Sequence, residues 1–211
     1  KKIVLPNGIK CILYQRKEIH SIFVDVRVKT GSFDETRSTA DIAHLIEHIV
    51  FNGTTDFPDW ESLDRFRNNY SGNSNAYTSK RYTVYHGRFP SKYPKEAIHY
   101  FSELALQPLL KQSALDKERT IVLDEMKRDQ DEIDHHIYRN IIENRFDNVE
   151  NSHVREVIGF EDSIQSFTEA DLKEYYNNQY TPENIDVFVV GNFKLKEMES
   201  YLTEFFYKRI R

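Results

Sequence analysis

Cysteine is almost missing from this chain: Cys11 is the sole example. No intrachain disulfide can form, so stability does not depend on an oxidising compartment. Cys11 lies in the apolar run Ile9 to Tyr14, where a lone cysteine reads as a small buried hydrophobe. Glycine and proline are also scarce, 7 and 6 among 211 residues, and neither a linker rich in them nor an internal repeat divides the chain. Residues 1–211 therefore read as a single domain with one sizeable core. Long apolar runs are lacking: nothing approaches the roughly eighteen residues of a membrane span, and Lys1-Lys2-Ile3-Val4 has no signal-peptide core. These features favour a cytoplasmic setting without fixing the compartment, since a removed targeting segment leaves no trace. A basic block is absent too. The net charge is −5 with a pI near 5.9, bases and acids are interspersed, and Lys80-Arg81 and Lys208-Arg209 are too short to form a patch, which argues against nucleic acid as a partner. With 30% charged and 13% aromatic residues, disorder is excluded as well.

What the chain does contain is His44-Leu45-Ile46-Glu47-His48. Histidines four apart share one side of a helix at adjacent turns, so both can offer a nitrogen to one metal, with Glu47 one position before the second. The order His-x-x-Glu-His is the inverzincin signature, in which the glutamate is a general base rather than a ligand. A solvated helix with scattered polar residues could carry the same string. Here, however, Ala43, Leu45, Ile46, Ile49 and Val50 make the segment apolar nearly all round, as in a buried helix. Ser38, Thr39 and Asp41 supply helix-start chemistry and Asn52-Gly53 a stop, which predicts a helix over about Thr39 to Phe51. Buried imidazoles need partners, and a metal supplies one.

A catalytic zinc site with two histidines lacks one protein ligand. The run Asp116 to Met126 has helical spacing and several acids, most of which read as a solvated face. Other histidines offer little: His135 and His136 point about 100° apart on a helix and read as surface, while His20, His86, His99 and His153 have no ligand-spaced partner. No Gly-x-Ser-x-Gly elbow or phosphate-binding loop is present.

Glu125 lies 77 positions after His48, and Glu118 lies seven before Glu125. In these spacings the chain resembles the amino-terminal catalytic domain of the M16 (pitrilysin-like) metallopeptidases, the family of insulysin and the mitochondrial processing peptidase. Leu5-Pro6-Asn7-Gly8, Gly31-Ser32-Phe33-Asp34-Glu35, Phe51-Asn52-Gly53-Thr54, Asn75-Ala76-Tyr77-Thr78 with Thr83-Val84-Tyr85, and Tyr180 to Asn184 leading into Val187 to Gly191 resemble family signatures along nearly the whole length. Two positions depart: Asp41 stands where the family usually has glycine, and Tyr70-Ser71-Gly72 replaces a typical Gly-Gly. The resemblance implies one zinc ion held by His44, His48 and Glu125. Glu47 would then be the base that takes a proton from the attacking water and passes it to the leaving amine. Seven helical residues are about 10 Å of rise, too far for Glu118 and Glu125 to share the ion, so Glu118 is expected beside the water or a histidine. Substrate is expected to add as an extra strand along the edge carrying Asn75, Ala76 and Tyr77.

The coarse reading places strands at Lys2–Val4, Lys10–Gln15 and Ile22–Lys29, then the motif helix. A helix over Asp59 to Asn69, a strand pair or bent ribbon within Asn75 to Arg88, and a helix over Lys92 to Leu106 follow. One long helix carries Glu118 and Glu125 toward Phe146. A loop around Asn148 to Gly159, a helix at Thr168–Tyr176, a buried strand at Ile185–Val190 and a closing helix at Leu195–Tyr207 complete an α+β fold with a mostly antiparallel sheet packed against helices. The resulting expectation is a zinc endopeptidase acting on extended peptides or unfolded segments. Completion by a second M16-like domain, subunit or protomer is expected, because the family encloses substrate between two halves. A non-catalytic M16-like binding or structural subunit is the alternative, and zinc hydrolysis of a small amide is a weaker one.

Overall fold

The computed structural model describes residues 1–146 and 154–207. Six strands, β1 (Lys2–Val4), β2 (Lys10–Gln15), β3 (Ser21–Val28), β4 (Asn73–Thr78), β5 (Thr83–Pro90) and β6 (Ile185–Gly191), form one sheet in the order β1-β2-β6-β3-β5-β4. Only β2 and β6 run parallel; the other pairs are antiparallel. Period-two alternation puts Cys11 and Leu13, Ile22 to Val28 at even positions, and Ile185, Val187 and Val189 on one buried face. The opposite face carries half-buried Phe23, Asp25 and Arg27, with Arg27 3.2 Å from Asp25 and Lys29 3.1 Å from Asp186. Burial on one side is what an antiparallel sheet tolerates.

The helices are α1 (Ile42–Ile49), α2 (Trp60–Asn69), α3 (Pro94–Leu106), α4 (Gln112–Asp131), α5 (Ile133–Arg145), α6 (Glu161–Ser166), α7 (Glu169–Gln179) and α8 (Leu195–Leu202). α3 packs on β3 and β5, and α1 is wedged among β4, α4 and α7. Ile42, Leu45, Ile46 and Ile49 are essentially inaccessible. At about 1.5–3 kcal/mol for each such side chain, this burial can carry the polar residues on the same helix. No helix among the described residues is long and apolar enough to cross a membrane.

Four elements differ from their sequence reading. The motif helix begins at Ile42, not Thr39, because Asp41 adopts a left-handed backbone (φ +87°). Its cap is also another residue: the Glu35 carboxylate accepts the N–H groups of Asp41 (3.1 Å) and Ala43 (3.0 Å), while Thr39 bonds back to Thr36. Past the helix, Gly53 at φ +148° lets the chain turn where a Cβ would lie 2.7 Å from the Pro58 carbonyl oxygen. The long helix toward Phe146 is broken at Glu132, whose backbone is extended. The acids Asp131, Glu132 and Asp134 oppose the dipole at a helix C-terminus and suit an N-terminus, and Asp134 sits in the first turn of α5. α6 is too short to announce itself by periodicity, and the closing helix widens into a π-helical turn over Thr203–Tyr207. Half of the predicted Asn148 to Gly159 loop, including His153, lies outside the described residues, as does Lys208-Arg209.

Candidate active site

α1 turns both motif histidines to one side, with His44 Nε2 and His48 Nε2 3.2 Å apart. From α4, Glu125 brings Oε2 to 3.9 Å from His44 Nε2 and 3.7 Å from His48 Nε2. A tetrahedral zinc with nitrogen ligands at about 2.0–2.1 Å sets its ligand atoms roughly 3.3 Å apart, so the three residues fit the ion with a small inward movement of the carboxylate. Glu118 lies on the same face of α4, two turns before Glu125, and does not join them. Its Oε2 lies 3.3 Å from His48 Nδ1, while Oε1 accepts a 2.8 Å hydrogen bond from Asn52 Nδ2. Of the two places expected for it, Glu118 occupies the one beside a histidine.

Glu47 is buried on α1, and its Oε2 accepts a 2.8 Å hydrogen bond from the Thr78 hydroxyl of β4. Burial pushes its carboxyl above the ordinary value, against the opposing pull of His44 and Thr78. For His44 burial works against the charged form, but the Asp41 carboxylate 3.3 Å from Nδ1, with the charges of Glu47 and Glu125, outweighs it and holds the imidazole up at about 9. Glu118 shows the reverse balance: burial raises it, and the bonds from His48 and Asn52 prevail to hold it below the usual range.

β4 is the edge of the sheet, paired only with β5 among the described residues. Asn75 and Ala76 line an open cavity of about 310 Å³ shared with Glu47, His48, Trp60 and Glu118. Tyr77 is placed elsewhere. It is exposed and meets the His86 ring edge-on at 5.8 Å, on the side of the strand away from Thr78. Sequence reasoning missed Thr78, Asn52 and Asp41 as neighbours of the site; for Thr78 the signal was available, since it shares strand parity with Ala76 and so faces α1.

Two histidines depart from their reading. His99 has partners after all: Nε2 lies 2.8 Å from Asp56 Oδ2, and Glu103 stands one turn on in α3. Glu103 Oε2 already accepts from the Thr54 hydroxyl and the Asp56 N–H, and His99 stacks on Phe205, so hydrogen bonds account for this cluster. His135 is half-buried, 3.1 Å from Glu156, rather than solvated.

The family model for insulinase (peptidase family M16) matches residues 11–156. The chain belongs to this family. A second model, the peptidase M16 inactive domain, matches residues 166–209, the stretch that supplies β6 to the middle of the sheet. Among M16 relatives, the chain is similar to an uncharacterised zinc protease of Bacillus subtilis, 26% identical over 95% of this chain and 49% of that protein. It is similar also to the beta subunit of the mitochondrial-processing peptidase of Blastocladiella emersonii, 28% identical over 92% and 41%. A crystallised protease from Helicobacter pylori superposes with a TM-score of 0.91 at 25% identity, covering 100% of this chain and 50% of its own. The predicted α+β fold is thus the M16 fold, and the chain spans half or less of the length of these relatives.

Proposed function

We propose that this M16 chain is the catalytic domain of a zinc endopeptidase that hydrolyses peptide bonds in extended peptides or unfolded segments. The convergence of His44, His48 and Glu125 beside a buried carboxylate carries the reading. His44, His48 and Glu125 would hold one zinc ion per chain. When bound, zinc supplies Lewis acidity toward the scissile carbonyl and toward water at neutral pH. Glu47 is the proton carrier: its raised carboxyl accepts a proton from the attacking water and returns it to the leaving amine, and Thr78 keeps one oxygen fixed so that the other faces the cleft. Glu118 and Asn52 hold the His48 ring. A peptide laid along the free edge of β4 gains main-chain hydrogen bonds that make little demand on sequence, and Asn75 and Ala76 bring that edge to the cavity containing Glu47 and His48. Residues 1–211 act as one such unit, completed by a second M16-like domain, subunit or protomer that closes over the substrate.

The test combines metal content with digestion of a peptide library. The wild-type chain is expected to carry stoichiometric zinc and to cut peptides. Glu47→Gln is expected to keep the zinc and lose nearly all turnover, and Glu125→Ala to lose the zinc, because two imidazoles alone bind weakly. Full zinc occupancy in Glu125→Ala would show the third ligand to be misassigned, and wild-type turnover in metal-loaded Glu47→Gln would remove Glu47 from the mechanism. Zinc binding with no cleavage even beside a supplied second half would instead support a binding subunit.

A further inference from the structure

Asp41 combines two unfavourable features. It is a non-glycine residue at φ +87°, and its carboxylate has no solvent exposure. Strain and buried charge of this kind persist only where the surroundings hold them, and they concentrate at functional sites. The carboxylate is not needed as a helix cap, because Glu35 already receives the first N–H groups of α1. Instead, Oδ1 lies 3.3 Å from His44 Nδ1 and accepts the Gly159 N–H at 3.0 Å, while Oδ2 is buried without a hydrogen-bond partner among the described residues. Gly159 makes the close approach possible, since a Cβ there would lie 2.5 Å from the Ala40 carbonyl.

Nδ1 is the ring nitrogen of His44 that does not face Glu125; Nε2 is the one that does. His48 repeats the arrangement, with Nδ1 3.3 Å from Glu118 and Nε2 toward Glu125. Each imidazole therefore has a carboxylate behind it and the ligand cluster in front, and the two carboxylates come from unrelated parts of the chain.

We infer that Asp41 is a positioning residue for His44: it accepts the Nδ1 proton, fixes the ring plane and leaves the Nε2 lone pair directed at the metal position. This rests on the zinc reading of the site. A carboxylate behind a ligating histidine raises its basicity and locks its tautomer, and its loss typically weakens metal binding by 10–100-fold.

Asp41→Gly separates the two features, relieving the backbone while deleting the acceptor. Asp41→Asn fits the left-handed backbone and keeps an acceptor without the charge. The full chain and both variants are compared for zinc affinity by chelator competition at fixed pH and for melting temperature without metal. After cobalt substitution, the exchangeable imidazole N–H resonances are compared as well. Asp41→Gly is expected to bind zinc about tenfold or more weakly, to melt no lower than wild type, and to lose the His44 N–H resonance to solvent exchange while keeping that of His48. Asp41→Asn falls between, with the resonance retained. A folded Asp41→Gly with zinc affinity within about twofold of wild type and an unchanged His44 resonance would overturn the inference. If Asp41→Gly does not fold, Asp41→Asn decides, weakened binding supporting the inference and wild-type binding overturning it. Wild type and His44→Ala binding zinc equally would overturn the metal site itself rather than the role of Asp41.

Discussion

Thr78 decides where the Glu47 carboxylate points, through one 2.8 Å hydrogen bond from β4 to α1. A bond to a charged group is worth about 1.5–3 kcal/mol, so Thr78→Val, which keeps shape and removes the hydroxyl, should lower turnover by about tenfold or more with zinc content unchanged. The bond lowers the Glu47 pKa, so its loss raises that pKa and moves the acid limb of the rate profile to higher pH. A profile superimposable on wild type would exclude Thr78 from the machinery. Glu118→Gln weakens the support behind His48 and should reduce zinc affinity or turnover by about tenfold; no change in either would reduce Glu118 to a buried polar residue. At this scale the sequence was most legible where spacing alone determines geometry. His44 and His48 four apart had to converge if helical, and Thr78 follows Ala76 by strand parity, whereas Asp41 acts through a backbone angle that spacing does not encode.

Between elements, the segment before α6 is tied to the start of α1 by a buried ion pair. Arg155 donates to Glu35, both nearly inaccessible, and Glu35 in turn caps α1. Removing one member of such a pair strands the other charge, so Arg155→Met should destabilise the chain by about 3–5 kcal/mol in urea unfolding, and the double variant Glu35→Gln/Arg155→Met by less than the sum of the singles. Burial already pushes the Glu35 carboxyl up against the pull of Arg155, and without Arg155 it rises further. The unfolded-state pKa is common to both chains and cancels in their difference, so the Arg155→Met deficit should stay flat at acid pH and grow as pH rises past about 7, the folded value in the wild type. A deficit below about 1 kcal/mol, or one independent of pH, would show that the pair holds nothing together. Element existence was largely readable from periodicity, including β2, β6 and α2. Boundaries failed where a local preference yielded to tertiary need, at Asp41 and at Glu132.

For the molecule as a whole, the cleft beside β4 is open on one side. A peptide bound there keeps one face in water, where electrostatic stabilisation is weaker and its ordering entropy is not offset. The 211-residue chain is therefore expected to fold and take up zinc yet cleave a quenched peptide slowly, accelerating when a second M16-like half is added at matched zinc occupancy. Full-rate cleavage by a demonstrably monomeric chain would contradict the need for a second half. Sheet order was the least legible property, since nothing in residues 185–191 says that they pair between β2 and β3. That placement also has a consequence for biosynthesis. All the proposed metal ligands lie before residue 126, yet β2 and β3 have no partner between them until β6 emerges from the ribosome. A nascent chain stalled just after Glu125 would hold every ligand and no closed sheet to mount them on, exposing two hydrophobic strand edges to chaperones, so metal capture should follow synthesis of β6 rather than of the motif.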